Sequence, residues 1–168
     1  MASTLIRPAT GVDLPRLTEI YNHYVLTSPV TFDLEPLTIE QRADWFAEHS
    51  DTGRHRLLVA DEDGRVMGYA TTSRFRTRAA YDTTVEASVY CAPEAVGRGV
   101  GSQLYRRLLA AIAAEDINRI VAGITLPNDP SVALHRSMGF VRVGIFSQVG
   151  RKFDRYWDVA WFERPLSV

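Results

Sequence analysis

The stretch Ala95-Val96-Gly97-Arg98-Gly99-Val100-Gly101-Ser102 spaces three glycines two residues apart and leads into Gln103-Leu104-Tyr105-Arg106-Arg107-Leu108-Leu109. Leu104, Leu108 and Ile112 recur every four residues, which is the spacing of one helix face. Glycine lets the backbone approach a ligand closely, and the first amides of a helix lack partners within it. The helix dipole adds positive charge there. The stretch therefore predicts a turn into a helix that binds an anion, most often a phosphate.

The composition is that of a soluble globular protein. The 168 residues suit one domain over residues 1–168, and apolar residues make up 46% of them, enough for a packed core. The net charge of −1 gives no reason to expect nucleic acid or an anionic membrane as a partner. A single cysteine, Cys91, fits a reducing compartment, and the first residues lack the apolar core of a signal peptide. We therefore expect a cytoplasmic protein.

The predicted elements are a strand, two helices, three strands, a helix, a strand, a helix and two strands. Asp61-Glu62-Asp63-Gly64 carries a hairpin-turn signal, and Gly150 to Arg155 is predicted to be the turn between the last two strands. Thr38 and Gln41 have the spacing of a capping box at the start of the second helix. This order predicts an α+β fold, with one mixed, mostly antiparallel sheet of about seven strands and helices on both faces.

The glycine stretch alone does not identify its ligand. A mononucleotide-binding loop needs Gly-Lys followed by Ser or Thr, which does not occur after these glycines. A dinucleotide-binding loop needs glycine where Ser102 stands, and it normally belongs to the first strand-helix-strand unit. A glycine-rich turn that only joins a strand to a helix stays open as an alternative.

Longer motifs identify a family. The chain resembles the GNAT superfamily of acetyl-CoA-dependent N-acyltransferases, and within it the phosphinothricin N-acetyltransferases and related bacterial amino-acid acetyltransferases. The matching runs cover nearly the whole chain: Ile6-Arg7-Pro8-Ala9-Thr10, Asn22-His23-Tyr24, Ala80 to Tyr90, Leu126 to Val132, and Val149-Gly150-Arg151-Lys152-Phe153. One departure is Val96, which stands where the family's loop usually has Gln or Arg.

The resemblance implies acetyl-CoA as the co-substrate, and it implies a GNAT fold. The pyrophosphate of acetyl-CoA is expected on Gly97, Arg98, Gly99, Val100, Gly101 and Ser102. Its pantetheine arm and acetyl carbonyl are expected along Val89, Tyr90 and Cys91, with Asn128 and Ser131 on the far side. Cys91 is expected to be a small buried residue, because direct transfer needs no nucleophile.

Two residues are candidates for proton transfer. On its strand Glu86 shares a polar face with Thr84 and Ser88, and the resemblance assigns it the role of general base that removes the proton of the acceptor amine. From spacing alone, Glu86 could equally be a solvated glutamate or an ion-pair partner of a nearby arginine. His135 stands where many members have a tyrosine that protonates the departing thiolate. A role for His135 in packing or in contacting coenzyme A stays open.

The predicted acceptor site lies before the catalytic strand. The residues expected to bind a small amino acid or analogue are Phe32, Arg76, Arg78 and Tyr81, since two guanidinium groups suit a carboxylate with a phosphinate or sulfone oxygen. The loop around Phe32 is expected to close over this pocket, with Trp157 and Asp158 as further candidates. A solvated basic turn is the alternative for the arginines. No metal site is expected, because the histidines show no ligand spacing.

The sequence therefore predicts an N-acetyltransferase that acts on a small amino-acid-like amine by direct transfer. The resemblance also implies a homodimer. An enzyme that acetylates protein N-termini or polyamines is an alternative, although paired arginines disfavour a polycationic acceptor. A non-catalytic acyl-CoA sensor on the same fold is a second alternative.

Overall fold

A computed structural model describes residues 4–166. Residues 1–3 and 167–168, which the predicted domain includes, lie outside the described residues. The helices and strands in chain order are β1 Leu5–Pro8, α1 Leu14–Thr27, α2 Ile39–Ala47, β2 Leu57–Glu62, β3 Arg65–Arg74, β4 Thr84–Cys91, α3 Val100–Ala111, β5 Arg119–Leu126, α4 Asp129–Ser137, β6 Val141–Lys152 and β7 Arg155–Pro165. Within residues 4–166, no helix is long and apolar enough to span a membrane.

The strands form a 7-stranded sheet in the order β1-β2-β3-β4-β5-β7-β6. Neighbouring strands are antiparallel except β4 and β5, which are parallel. A parallel pair needs a crossover connection, and α3 supplies it between β4 and β5. The predicted α+β fold with a mixed, mostly antiparallel sheet is confirmed.

Helices cover both faces of the sheet. A Cβ on Gly68 of β3 would lie 3.3 Å from Leu104 of α3, so this residue faces α3. The next residue, Tyr69, contacts Trp45 of α2, with ring centroids 5.9 Å apart. Because successive residues of a strand point to opposite faces, α2 and α3 lie on opposite sides. The amphipathic pattern of α3 is also confirmed, since Leu104, Leu108 and Ile112 are all 0% exposed.

Most element boundaries follow local signals. Thr38 accepts a hydrogen bond from the amide of Gln41, whose side chain bonds back to the Thr38 amide, so the predicted capping box is present. Helix α3 ends at Ala111. Beyond it, the Glu115 carboxylate accepts hydrogen bonds from Arg56 and from the Gly53 amide, which are remote in sequence.

The predicted turn from Gly150 to Arg155 is wrong in its extent. Gly150 and Lys152 belong to β6, and the turn is the pair Phe153 and Asp154, with φ of 52° and 56°. Two successive residues with positive φ form a tight hairpin turn whose twist matches the strands. The sequence misled here because the glycine that suggested a turn lies three residues before it.

Candidate active site

The sheet splits between β4 and β5. Parallel pairing joins only Thr84–Glu86 to Arg119–Val121, so the later residues of β4 have no partner on that side. The Ala92 amide donates to the Met67 carbonyl next to β3. Since backbone groups alternate along a strand, those of Tyr90 face β3, whereas those of Ala87, Val89 and Cys91 face the gap. The split therefore leaves backbone groups of β4 without a strand partner beyond Glu86, and the Tyr24 hydroxyl donates to one of them, the Cys91 carbonyl.

A cleft of about 620 Å³ occupies this gap, which is the size of a small-molecule site. Its lining includes most of the residues predicted to bind the cofactor: Val89, Tyr90, Cys91, Gly97, Gly99, Val100, Gly101, Ser102, Asn128 and Ser131. His135 also borders it. Residues that the sequence did not single out complete the walls, namely Tyr24, Ser28, Pro29 and Val30 on one side and Gly123, Ile124 and Thr125 on the other.

The glycine stretch forms the predicted turn into α3. Gly97 and Gly99 both have φ of +79°, a conformation that other residues rarely adopt. Gly101 fits closely, because a Cβ there would lie 3.3 Å from Leu134 and 3.5 Å from the Cys91 sulfur. The first amides of α3 thus border the cleft without intrahelical partners.

Two side chains of the glycine stretch, those of Arg98 and Val96, are not placed to bind a phosphate in the cleft. The Arg98 guanidinium donates a 2.8 Å hydrogen bond to the Glu62 carboxylate and is absent from the cleft lining. Val96 borders the cleft and is 61% exposed. In this arrangement the stretch offers a phosphate its backbone amides and the Ser102 hydroxyl. Binding of the cofactor by Arg98 stays a prediction.

Glu86 lies at the point where the two strands part. It pairs with Ser73 of β3 and with Val121 of β5, and its side chain is half-buried. Burial raises the pKa of Glu86 above its usual value, and the nearby positive charge of Arg76 partly opposes that rise. A carboxylate with a raised pKa in a cleft is a candidate general base.

An aromatic group lies beside Glu86 on the same face of the sheet. Phe75 contacts Tyr81 and Trp161 edge-on, with ring centroids 5.8 Å and 6.0 Å away. Arg76 lies over the Phe75 ring at 4.4 Å. Of the predicted acceptor residues, the structure thus brings Arg76 and Tyr81 together, whereas Arg78 is exposed nearby. Phe75 and Trp161 were not predicted, since nothing local in the sequence brings the end of β3 close to β7.

The remaining acceptor candidates lie elsewhere. Phe32, in the loop between α1 and α2, packs against Gly150 of β6 and is 38% exposed. The Trp157 indole donates to the Lys152 carbonyl, and the Asp158 carboxylate accepts from the Gln148 amide. These contacts give Trp157 and Asp158 a structural role in the β6–β7 hairpin, and neither residue lines the cleft.

His135 is buried, and both ring nitrogens are engaged. Its Nδ1 lies 2.8 Å from the Ser131 carbonyl, which can only accept, so we assign the proton to Nδ1. Its Nε2 then accepts a 2.8 Å hydrogen bond from the Tyr105 hydroxyl. Burial lowers the pKa of His135, which favours the neutral ring. Asn128 caps the same helix by accepting from the Ser131 amide, leaving its own amide group free to donate.

Cys91 lies at the end of β4 with its sulfur near the amide of Gly101. Burial raises the pKa of the Cys91 thiol, so the thiolate is scarce at neutral pH. Cys91 is half-buried and borders the cleft, so the expectation of a buried residue is wrong, whereas the scarcity of its thiolate fits transfer without a nucleophile. Within residues 4–166, no group of three His, Cys, Asp or Glu side chains is arranged to hold a metal ion.

Known proteins share this architecture. A family model described as an acetyltransferase (GNAT) domain matches residues 6–161. A phosphinothricin N-acetyltransferase from Streptomyces coelicolor is 52% identical over 167 residues, which are 98% of this chain and 98% of the relative. An L-methionine sulfoximine/L-methionine sulfone acetyltransferase from Pseudomonas aeruginosa is 34% identical over 164 residues, 98% of this chain and 95% of the relative.

A solved structure agrees with these relatives. It is a GNAT superfamily phosphinothricin acetyltransferase from Sinorhizobium meliloti in complex with acetyl-CoA. It superposes with a TM-score of 0.92 at 36% identity, covering 98% of this chain and 89% of that one. The family that the sequence motifs indicated is thereby confirmed: the chain belongs to the GNAT family and is an N-acetyltransferase.

Proposed function

We propose that the protein transfers the acetyl group of acetyl-CoA to the amino group of a small amino acid or analogue, such as phosphinothricin or methionine sulfoximine. The observation that carries this proposal is the placement of Glu86 at the start of the β4–β5 split. A half-buried carboxylate there directly precedes the free backbone groups that border the cleft. The names of the relatives support the choice of acceptor.

The cleft fits acetyl-CoA as the co-substrate. Its volume of about 620 Å³ suits the pantetheine arm, and the N-terminus of α3 offers amides and a positive dipole end to the pyrophosphate. The tight contact beneath Gly101 lets the turn approach a ligand without a side chain intervening. Asn128 and Ser131 line the opposite wall, where the free Asn128 amide can donate to a carbonyl of the arm.

Glu86 acts as the general base. The acceptor arrives mainly as an ammonium ion, and Glu86 takes its proton, directly or through a water molecule. The pKa of Glu86 is raised by burial, which brings it closer to that of the amine and makes the carboxylate a better base. The neutral amine then attacks the carbonyl carbon of the thioester.

The backbone of β4 stabilises the charge that develops on the carbonyl oxygen. The Val89 amide faces the gap without a strand partner, and such a fixed donor lowers the barrier to acyl transfer. Collapse of the tetrahedral intermediate breaks the carbon–sulfur bond and releases the thiolate, which His135 or water protonates. Because Nδ1 of His135 donates to a carbonyl and Nε2 accepts from Tyr105, we favour water.

The acceptor carboxylate and its phosphinate or sulfone oxygens are bound by Arg76 and Arg78. Arg76 is close enough to Glu86 to affect its pKa, so an anion held there would place the α-amino group near the base. Tyr81 supplies apolar contacts to the side chain of the acceptor, and a contact from Phe32, whose ring packs over Gly150, stays a prediction. The acceptor itself is thus an anionic or zwitterionic small molecule.

A homodimer accompanies this proposal. The outermost strand, β6, exposes large apolar side chains at Val141, Val143, Ile145, Phe146 and Val149, of which Val141 is 61% exposed. An edge strand with such side chains favours association with a second copy. Light scattering after size exclusion measures the oligomeric state directly. We also place the protein in the cytoplasm, because its single cysteine fits a reducing compartment.

The decisive experiment is a thiol-release screen with acetyl-CoA. The acceptors are phosphinothricin, methionine sulfoximine, methionine sulfone, the ordinary amino acids, spermidine and short peptides. We expect release above background only with the amino acids and analogues. Activity confined to peptides or spermidine would favour the alternative acceptors, and binding of coenzyme A without any release would favour the sensor.

A further inference from the structure

The loop between α1 and α2 is attached to β6 through a contact that only glycine permits. The Phe32 ring lies directly over Gly150. A Cβ on Gly150 would lie 2.5 Å from Cε1 and from Cε2 of that ring, and closer still to Cζ. The φ of Gly150 is not in the positive range that favours glycine, so the requirement is for space alone.

A second contact joins the same segments. Lys152 is 4% exposed, and its ammonium donates a 2.9 Å hydrogen bond to the Thr31 carbonyl. On the other side of the loop, the Tyr21 hydroxyl of α1 lies 2.6 Å from the Thr31 hydroxyl and donates at 2.6 Å to Asp33. The same short part of the loop is therefore bonded to α1 on one side and to β6 on the other.

These contacts bridge the split in the sheet. Helix α1 packs against β3 and β4, on one side of the gap. Strand β6 pairs with β7, and β7 pairs with β5, on the other side of the gap. We call Thr31, Phe32, Gly150 and Lys152 the clasp, since they connect the two halves of the sheet across the cleft.

We propose that Gly150 and Lys152 are positioning residues for the acceptor, because the clasp fixes the α1–α2 loop against β6 on the face of the sheet that also carries Glu86. The clasp lies on the α1 side of the sheet, whereas α3 and its glycine turn lie on the other. Its loss therefore affects the acceptor more than acetyl-CoA. This inference rests on the proposed acetylation of small amino acids.

Steady-state kinetics of Gly150→Ala test the proposal, with Gly144→Ala as the matched control. Both glycines lie in β6, and a Cβ on Gly144 meets nothing within 4 Å. We expect Gly150→Ala to raise the acceptor KM about tenfold and to change the acetyl-CoA KM less than about twofold. An acceptor KM equal to that of Gly144→Ala overturns the proposal.

A double-mutant cycle covers the case in which Gly150→Ala folds poorly. In a Phe32→Ala background the ring is gone, so a Cβ at position 150 no longer clashes. We expect Gly150→Ala to change the acceptor KM less than about twofold in that background. Independent, additive effects of the two substitutions overturn the proposal.

Amide hydrogen exchange gives a readout that does not depend on activity. We expect the amides of residues 31–37 to exchange about tenfold faster in Gly150→Ala than in Gly144→Ala, because an unattached loop opens more often. Equal exchange rates in the two variants would show that the clasp does not hold the loop, whichever amine the protein acetylates. A wild-type protein that acetylates no amino acid, yet shows the difference in exchange, refutes the proposed function and leaves the clasp intact.

Discussion

Replacement of Glu86 by Gln tests the role of Glu86 as general base while leaving the rest of the site unchanged. The amide keeps the size of the side chain at the β4–β5 split but cannot take a proton. A positioned general base contributes about 10²- to 10⁴-fold, so we expect kcat with a small amino acid to fall about a thousandfold near pH 7. At a factor of ten per 1.36 kcal/mol, this is a loss of about 4 kcal/mol of transition-state stabilisation.

The pH dependence makes this prediction specific. The α-amino pKa of a free amino acid lies above the value of about 8 for a peptide N-terminus, because its carboxylate stabilises the ammonium, so the neutral fraction of the acceptor rises at least about tenfold between pH 7 and pH 9. The variant gains from that pre-formed neutral amine, so its deficit should narrow to about a hundredfold. In the wild type, kcat/KM should fall as the pH drops through the pKa of Glu86, which burial places above its usual 4.5.

The assay is thiol release from acetyl-CoA between about pH 6 and pH 9.5, at saturating acetyl-CoA. Glu163→Gln is the matched control, because Glu163 pairs with Val121 from the side opposite Glu86 and the substitution removes the same charge. We expect the control to stay within about threefold of the wild type. A Glu86→Gln deficit that is the same at every pH refutes the base role.

Three further results follow from the structure. Acetyl-CoA at about 100 times its Kd should stabilise the fold by about 2.7 kcal/mol and raise the Tm in a thermal-shift assay; an unchanged Tm contradicts the cofactor site. His135→Phe removes the partner of the buried Tyr105 hydroxyl, so the free energy of unfolding, measured by chemical denaturation, should fall by about 1–3 kcal/mol while kcat falls less than tenfold. A hundredfold loss of kcat in a stable variant would instead assign proton donation to His135. Asp13→Asn breaks the paired hydrogen bonds to Arg7 and should lower the free energy of unfolding by about 2 kcal/mol at pH 7. Because Arg7 lowers the pKa of Asp13, this contribution is present above the unfolded-state pKa of about 3.9 and disappears as the pH falls through the folded-state pKa, so the two stabilities should converge in acid.

Local signals in the sequence were sufficient for much of the fold and for the cofactor side of the site. The Thr38–Gln41 capping box and the glycines before α3 act within a few residues, so pattern alone located them. The polar face predicted for Glu86 also agrees with the burial of the opposite face of β4, where Val85 and Ala87 are 0% and 4% exposed. The family motifs then supplied the ligand, which the glycines could not.

Contacts between distant segments could not be predicted in this way. Phe75 and Trp161 meet only because β4, β5 and β7 lie side by side, and no spacing in the sequence encodes that neighbourhood. Arg98 was expected at the cofactor, but its guanidinium pairs with Glu62 of β2. Gly150 suggested a turn, whereas its missing side chain makes room for Phe32, more than a hundred residues earlier in the chain.

The split in the sheet explains why the base and the acyl-binding backbone stay aligned. Glu86 is the last residue of β4 that pairs with β5, so hydrogen bonds from its own backbone to β3 and from its chain neighbours to β5 hold it in place. The Val89 amide is only three residues further along the same strand, and β3 continues to hold that strand in register. A movement of β5 therefore widens the cleft without changing the distance between Glu86 and Val89. Strand β4 therefore sets the geometry of proton removal and oxyanion binding, whereas the contacts that connect the two halves of the sheet set the width of the cleft.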